Sequence, residues 1–215
     1  MGSREADARP AAGEEYNPGP TTPARQAATV IVLRGEDTRL EVLLVKRTPQ
    51  ARFMGGVWVF PGGAVEAGDG EDDEAHRAAA VRELHEEAGI LLESPAELVK
   101  FSRWITPAEV KVRFDTHFFL ASLPSGQQPQ VDGEECVDLG WFTPAQALEA
   151  NEREEIALVF PTIKHLEQLS EFKTASELLR EAAGRDVIPV QPRIVLEGRG
   201  GRVLLPGEPG YEAGA

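Results

Sequence analysis

The stretch "GDGEDDEAHRAAAVRELHEEAGI", running from Gly68 to Ile90, decides the reading of this chain. It holds eight Asp and Glu residues in twenty-three. The pattern predicts a helix that starts near Asp72–Glu74 and ends at Gly89, a residue suited to the left-handed C-cap. At about 100° per residue, Glu86 and Glu87 fall on either side of Glu83, each within about 60° of it. Val81, Leu84 and Ala88 fall mostly on the opposite side, toward a core. Like charges three and four apart cost roughly 0.2–0.5 kcal/mol per pair. The pairs Glu83–Glu86 and Glu83–Glu87 carry that cost, and Arg82, four residues before Glu86, offsets part of it. Two readings fit: a solvated acidic face, or a face that holds a cation the sequence itself does not contain. Hard divalent cations take several oxygen ligands, which clustered carboxylates on one rigid face supply.

Outward from that helix, strands and helices interleave. Upstream, "ATVIVL" (28–33) and "LEVLLVKR" (40–47) read as strands joined by the turn "RGEDTR". "VWVF" (57–60) is a short strand stopped by Pro61, Gly62 and Gly63, glycines that let the backbone approach a ligand closely. Downstream, 96–105, 112–123 and 136–142 read as strands. Thr143 caps a helix whose first position is Pro144. Residues 160–172 and 174–184 form two amphipathic helices, and 192–211 form a hairpin turning at Gly198–Gly201. Short turns between neighbouring strands predict a mixed sheet with helices on its faces, an α/β fold. Residues 1–25 carry no apolar period and read as a disordered tail. Residues 26–183 form the domain and 184–215 a C-terminal extension.

The bulk properties narrow the function. The 215 residues carry a net charge of −14, a poor match for nucleic-acid backbones or anionic membranes. An anionic substrate would need a cation to mediate. The single cysteine, Cys136, excludes an internal disulfide and fits a reducing compartment. No apolar run approaches the roughly 20 residues of a membrane span, and the first residues lack the apolar stretch of a signal peptide. The C-terminal "AGA" is not an S-K-L type signal. A cytoplasmic location is expected.

The central stretch resembles the Nudix box, G-x5-E-x7-R-E-U-x-E-E-x-G-U with U aliphatic. Gly68, Glu74, Arg82, Glu83, Leu84, Glu86, Glu87, Gly89 and Ile90 fill its nine fixed positions. The chain is thus identified as a member of the Nudix family, which implies a mixed β-sheet sandwiched between α-helices. The resemblance implies that Glu83, Glu86 and Glu87 hold Mg2+ or Mn2+, with a carbonyl of Gly62 or Gly63 completing the shell. It implies that Arg82 orients a glutamate of the box, and that the substrate is a small-molecule nucleoside diphosphate derivative. One departure stands out. In many members the second glycine of "PGG" opens the box, but here Gly63 precedes Arg82 by nineteen positions rather than fourteen. Five residues are inserted, which bears on the roles of Gly68 and Glu74.

The approach to the box, "LLVKRTPQARFMGGVWVFPGG", is similar to that of the coenzyme A diphosphatase branch, peroxisomal type. Arg47, Thr48, Arg52 and the run from Gly56 to Gly63 echo its pattern, with Thr48 where Ser is more usual and Met54 where His is. Arg47 and Arg52 are candidate substrate ligands, since planar guanidinium groups suit phosphate. Trp104 and Phe114 are candidates to stack on a base. The loop "VDGEE" places Glu134 and Glu135 as candidate general bases beside the box carboxylate Glu83, with Glu135 preferred because it abuts the next strand. His76, His85, His117 and His165 show no metal-ligand spacing and are read as surface or locally hydrogen-bonded residues. Three functions stay open: hydrolysis of coenzyme A or its thioesters, hydrolysis of ADP-ribose, NADH or a related diphosphate, and a catalytically silent nucleotide sensor. Monomer and homodimer stay open too.

Overall fold

A computed structural model describes residues 15–35, 39–197 and 200–212. One mixed sheet organises the chain. Strand β1 (Arg25–Arg34) runs parallel to β6 (Phe114–Ser122), from Arg25 opposite Phe114 to Leu33 opposite Ser122. Strand β5 (Val99–Ile105) lies antiparallel on the far side of β6. On its other edge β1 splays away from β2 (Glu41–Arg47), the two pairing only at Leu33–Val42 and Arg34–Glu41. Into that fork come β3 (Trp58–Val59), paired with β2, and β4 (Gly62–Ala64), paired with β1. The Val30 amide donates to the Pro61 carbonyl at 2.8 Å, which fixes the turn between them. Strand β7 (Cys136–Phe142) closes the outer edge of β2.

The apolar runs of the inner strands are continuous because both faces are covered. Ile31, Leu33, Val42, Leu44, Phe118 and Leu120 face one layer. That layer holds α2 (Pro144–Glu152), α3 (Phe160–Leu169) and α4 (Ala175–Ala183). The intervening residues Val30, Val32, Leu43, Val45, Phe119 and Ala121 face α1 (Asp72–Ala88). Helix α1 seats Ala79, Ala80, Leu84 and Ala88 on the sheet, each 0% exposed. Its small residues let the helix lie close, and burial of Leu84 contributes roughly 1.5–3 kcal/mol. Gly89 adopts φ 64° and its amide donates to the His85 carbonyl, the C-cap that the sequence predicts.

Two details depart from expectation, the start of β6 and the presence of β4. Strand β6 begins at Phe114 rather than Val112, because the buried Arg113 turns back to donate to the carbonyls of Thr22, Thr106 and Pro107. Of the two roles expected for the histidines, His165 and His76, 1% and 8% exposed, take the hydrogen-bonded one, His165 with the Ser102 hydroxyl and His76 with the Asp72 carbonyl and the Gln26 side chain. Strand β4 is absent from the sequence reading, since a Gly-Gly-Ala strand carries no apolar alternation to detect. Of the turns expected at 34–39 and 198–201, residues 36–38 and 198–199 lie outside the described residues, as do residues 1–14 of the expected tail. Tyr16 bridges to Val110, and the Lys111 amide donates to the Glu15 carbonyl. After α4, β8 (Pro189–Val190) joins the sheet edge parallel to β5, and β9 (Arg193–Glu197) pairs antiparallel with β10 (Gly200–Leu204). No described helix is long and apolar enough to cross a membrane.

Candidate functional site

A cleft of about 1090 Å³ opens where the β3–β4 wedge meets the C-terminal half of α1. Gly62, Gly63, Arg82, Glu83, Glu86 and Glu87 all line it. Glu87 is 2% exposed, and its carboxylate accepts from the Gly62 amide at 2.9 Å and from Arg47 Nη1 at 3.4 Å. Burial pushes its carboxyl up to about 7, against the pull of the Gly62 amide and Arg47 and with the help of Glu83 and Glu135. Burial likewise raises Glu83, despite a 2.7 Å bond from Arg82 Nη1. Glu86 is the most open of the three, with its side chain 55% exposed. A Cβ on Gly63 would collide with the Glu83 carboxylate, and one on Gly62 with the backbone at Ala28 and Thr29. Glycine is required here by close approach, of Gly63 to the helix and of Gly62 to β1, not by an unusual φ.

Arg82 organises this wall. Its Nη1 bridges Glu83 and Glu86 at 2.7 and 3.1 Å. Its Nε and Nη2 meet both oxygens of Asp69 at 3.2 and 3.1 Å, and Nη2 also reaches the Ala64 carbonyl at 3.0 Å. Asp69 holds the guanidinium firmly charged and is itself pulled below the usual carboxylate range by Arg82. The sequence foresees Arg82 orienting a box glutamate, and it does contact two. What anchors it is Asp69, which comes from the inserted loop. Glu74 is exposed and stands outside this network, and Gly68 faces open space. The inserted loop thus supplies the arginine with a two-oxygen partner outside the helix.

A second carboxylate source faces α1. Asp132 accepts from the amides of Glu134, Glu135 and Cys136 at 3.1, 2.7 and 2.9 Å, while the Thr48 amide holds the Glu135 carbonyl at 2.8 Å. Gly133 permits the bend with φ 82°. Glu134 and Glu135 both line the cleft. Glu135 stands near enough to both Glu83 and Glu87 to raise each. Cys136, directly after, is 0% exposed, and burial pushes its thiol up, out of reach of nucleophilic use.

The opposite wall is apolar. Phe53 and Phe114 stand 6.1 Å apart between ring centres, and Trp104 meets Phe160 edge-on at 6.2 Å. Ile194 and Val203 extend it. Arg47, beside Glu87, lines the cleft, and so does Arg25, which sequence reasoning does not single out. Arg52 does not: it is exposed, outside the lining, and within electrostatic range of Glu15. The turn after Thr48 carries it outward, so the structure separates it from the other candidates.

The donor set suits a hard divalent cation. Three carboxylates three and four residues apart share one wall, and burial raises the proton affinity of two of them, Glu83 and Glu87. Among the described residues they do not converge as a closed cage, since Arg82 holds Glu83 and Glu86 together at one nitrogen.

Comparison with known proteins agrees with this geometry. The NUDIX domain family matches residues 23–163. A Caenorhabditis elegans sequence named for the nudix hydrolases is 28% identical over 191 residues, covering 72% of this chain and 64% of that one. The acyl-coenzyme A diphosphatase NUDT19 of Homo sapiens is 25% identical over 269 residues, covering 79% and 72%. The chain thus spans less than two thirds of the nematode relative's length. Among solved structures, a NUDIX hydrolase from Alicyclobacillus acidocaldarius superposes with a TM-score of 0.66 at 28% identity, over 74% of this chain and 96% of that one. Nudix hydrolases generally use divalent metal ions.

Proposed function

Because the chain belongs to the Nudix family, we propose that it is a hydrolase, dependent on Mg2+ or Mn2+, that cuts coenzyme A or acyl-coenzyme A. The products would be 3′,5′-ADP and 4′-phosphopantetheine or its acyl form. The observation that carries this reading is one cleft with two unlike walls, carboxylates on α1 and rings and aliphatic groups opposite. A diphosphate flanked by a nucleoside and a long, largely apolar arm presents the complementary pair of surfaces. The likeness to the NUDT19 sequence and the "FPGG" approach segment support the same substrate.

Glu83, Glu86 and Glu87 would hold the cation, with a carbonyl at Gly62 or Gly63 as a further donor. Bound there, the cation would supply Lewis-acid stabilisation of the charge on the phosphate and would make water more acidic. Arg82, clamped by Asp69, keeps Glu83 and Glu86 aligned. Arg47 offers a guanidinium at the rim for a phosphate oxygen. Glu135, with Glu134 beside it, accepts the proton of the attacking water, a role that needs a carboxylate near the phosphorus but free of ligand duty. Trp104 and Phe114 present ring faces to the base. The test is a panel of coenzyme A, acyl-coenzyme A, ADP-ribose and NADH, with Mg2+, Mn2+ or a chelator, compared by kcat/KM. Coenzyme A species should lead. Faster cleavage of ADP-ribose or NADH overturns the substrate, and metal-independent silence on all four overturns the enzyme in favour of a sensor.

A further inference from the structure

We propose that the β9–β10 hairpin is the acyl subsite of this cleft, selecting thioesters by the length of their apolar chain. The inference rests on the coenzyme A reading above and adds which part of the molecule recognises the acyl group. The hairpin lies beyond residues 23–163 that define the family match. Three of its features point to a ligand surface. First, Val203 and Ile194 are direct cross-strand partners, so their side chains share one face of the ribbon, and both line the cleft. Second, the C-terminal segment contributes only Pro192, Ile194 and Val203 to the lining, with no donor, acceptor or ring face among them. A phosphate seeks a cation and a base seeks a ring, whereas an alkyl chain is matched by aliphatic surface. Third, the ribbon is fastened in place.

A two-stranded ribbon is marginal by itself. This one is tethered by β8 on the edge of β5, with Arg103 opposite Pro189 and Trp104 opposite Val190. The Ile194 amide donates to Glu109 at 3.4 Å. Arg193 Nη1 donates to the Tyr211 carbonyl at 2.6 Å, and the Tyr211 hydroxyl donates to the Gln191 carbonyl at 2.8 Å. These bonds seat the hairpin facing Val110 and Ile105, which line the same cleft from the main sheet side. The result is an aliphatic bay continuous with the acidic wall. The cleft volume of about 1090 Å³ stands at the upper end of the roughly 300–1,000 Å³ usual for ligand pockets, as a ligand longer than a nucleotide requires.

The full-length protein is assayed with coenzyme A and its acetyl, butanoyl, hexanoyl and octanoyl thioesters under saturating Mg2+. Each methylene buried in an aliphatic bay is worth up to about fourfold in binding. In the wild type, kcat/KM should climb with chain length until the bay is filled. Ile194→Thr and Val203→Thr keep β-branching and strand propensity but place a hydroxyl in the bay. Each should reduce kcat/KM for the octanoyl thioester at least tenfold more than for free coenzyme A, flattening the climb. Circular dichroism and Tm identify a variant that has lost its fold, and the other variant then decides. A flat chain-length profile in a wild type that cuts coenzyme A overturns the subsite alone. So does an equal loss on all substrates in a folded variant, or a climb unchanged in both variants. A wild type that cuts no coenzyme A species overturns the functional reading and this inference with it.

Discussion

The two walls of the cleft are built in opposite ways. Arg82, Glu83, Glu86 and Glu87 fall within six consecutive positions of one helix, aimed by the 3.6-residue turn. The facing wall draws Phe53, Trp104, Phe114, Phe160, Ile194 and Val203 from segments that meet only in the folded chain. The carboxylates proposed to hold the cation are therefore set by local geometry, whereas the surface proposed to choose a substrate is set by topology. Substitutions on the two walls should separate cleanly into loss of turnover and loss of selectivity.

The largest effect falls on the helical wall. Glu86→Gln preserves size and removes one charged donor. Activity should fall by about 10⁴-fold or more, because the ion supplies several kcal/mol of charge stabilisation and the ionisation of water together. The side chain is 55% exposed, so stability of the metal-free protein should change by no more than about 0.5 kcal/mol. Steady-state kinetics and thermal melts under chelator check both halves. Full activity at saturating Mg2+ would show that this wall does not hold the ion.

Next is the loop that faces it. Glu135→Gln should lower kcat by about 10²–10⁴-fold, the share of a positioned base, with the Mg2+ dependence of turnover unmoved. Glu134→Gln, run beside it, should cost less, since the Thr48 amide anchors the Glu135 carbonyl. If neither slows turnover, the base lies on α1 itself, with Glu83 the candidate, and the chemistry belongs to one wall only.

A smaller effect tests how the walls are joined to the insertion. Asp69→Asn keeps the shape of the carboxylate but weakens its two bonds to Arg82. Loss of such a supporting partner typically costs about 10–100-fold. The apparent Mg2+ affinity should weaken alongside kcat, which a purely structural role of Asp69 would not produce. Glu74→Gln, at the exposed box position, should stay within about 0.5 kcal/mol of wild type in stability.

These residues also mark how far the sequence can be read. The mixed sheet, the α1 boundaries and the Gly89 cap follow from apolar runs and capping chemistry that act within a few residues. Glu83, Glu86 and Glu87 follow from helical spacing. Asp69 is not legible, because nothing local pairs an acid in a loop with an arginine thirteen positions later. Arg52 misleads for the same reason: its type suits phosphate, but the turn after Thr48 points it outward. Ile194 and Val203 look like an ordinary hairpin until β8 docks on β5 and brings them to the cleft.

The smallest effect on turnover is expected in the layer beneath the apolar wall, where the readout is stability against pH. His165 is enclosed by Phe60, Phe101, Trp104 and Phe118, with Nε2 2.6 Å from the Ser102 hydroxyl. Burial lowers its pKa from the usual 6.5 to about 3. The folded state thus resists a proton that the unfolded chain accepts. A depressed histidine contributes stability that is complete above pH 6.5 and is lost as pH falls from there toward about 3. His165→Phe removes the titration. It also leaves the Ser102 hydroxyl without its partner, a cost that is the same at every pH and so leaves the slope intact. The variant should lose less stability than wild type between pH 7 and pH 4, measured by denaturant melts at fixed metal content. The carboxylates of the opposite wall titrate alike in both proteins and cancel in the difference. Parallel pH profiles for the two would show that His165 is hydrated when folded and that this layer is wetter than its ring of aromatic side chains implies.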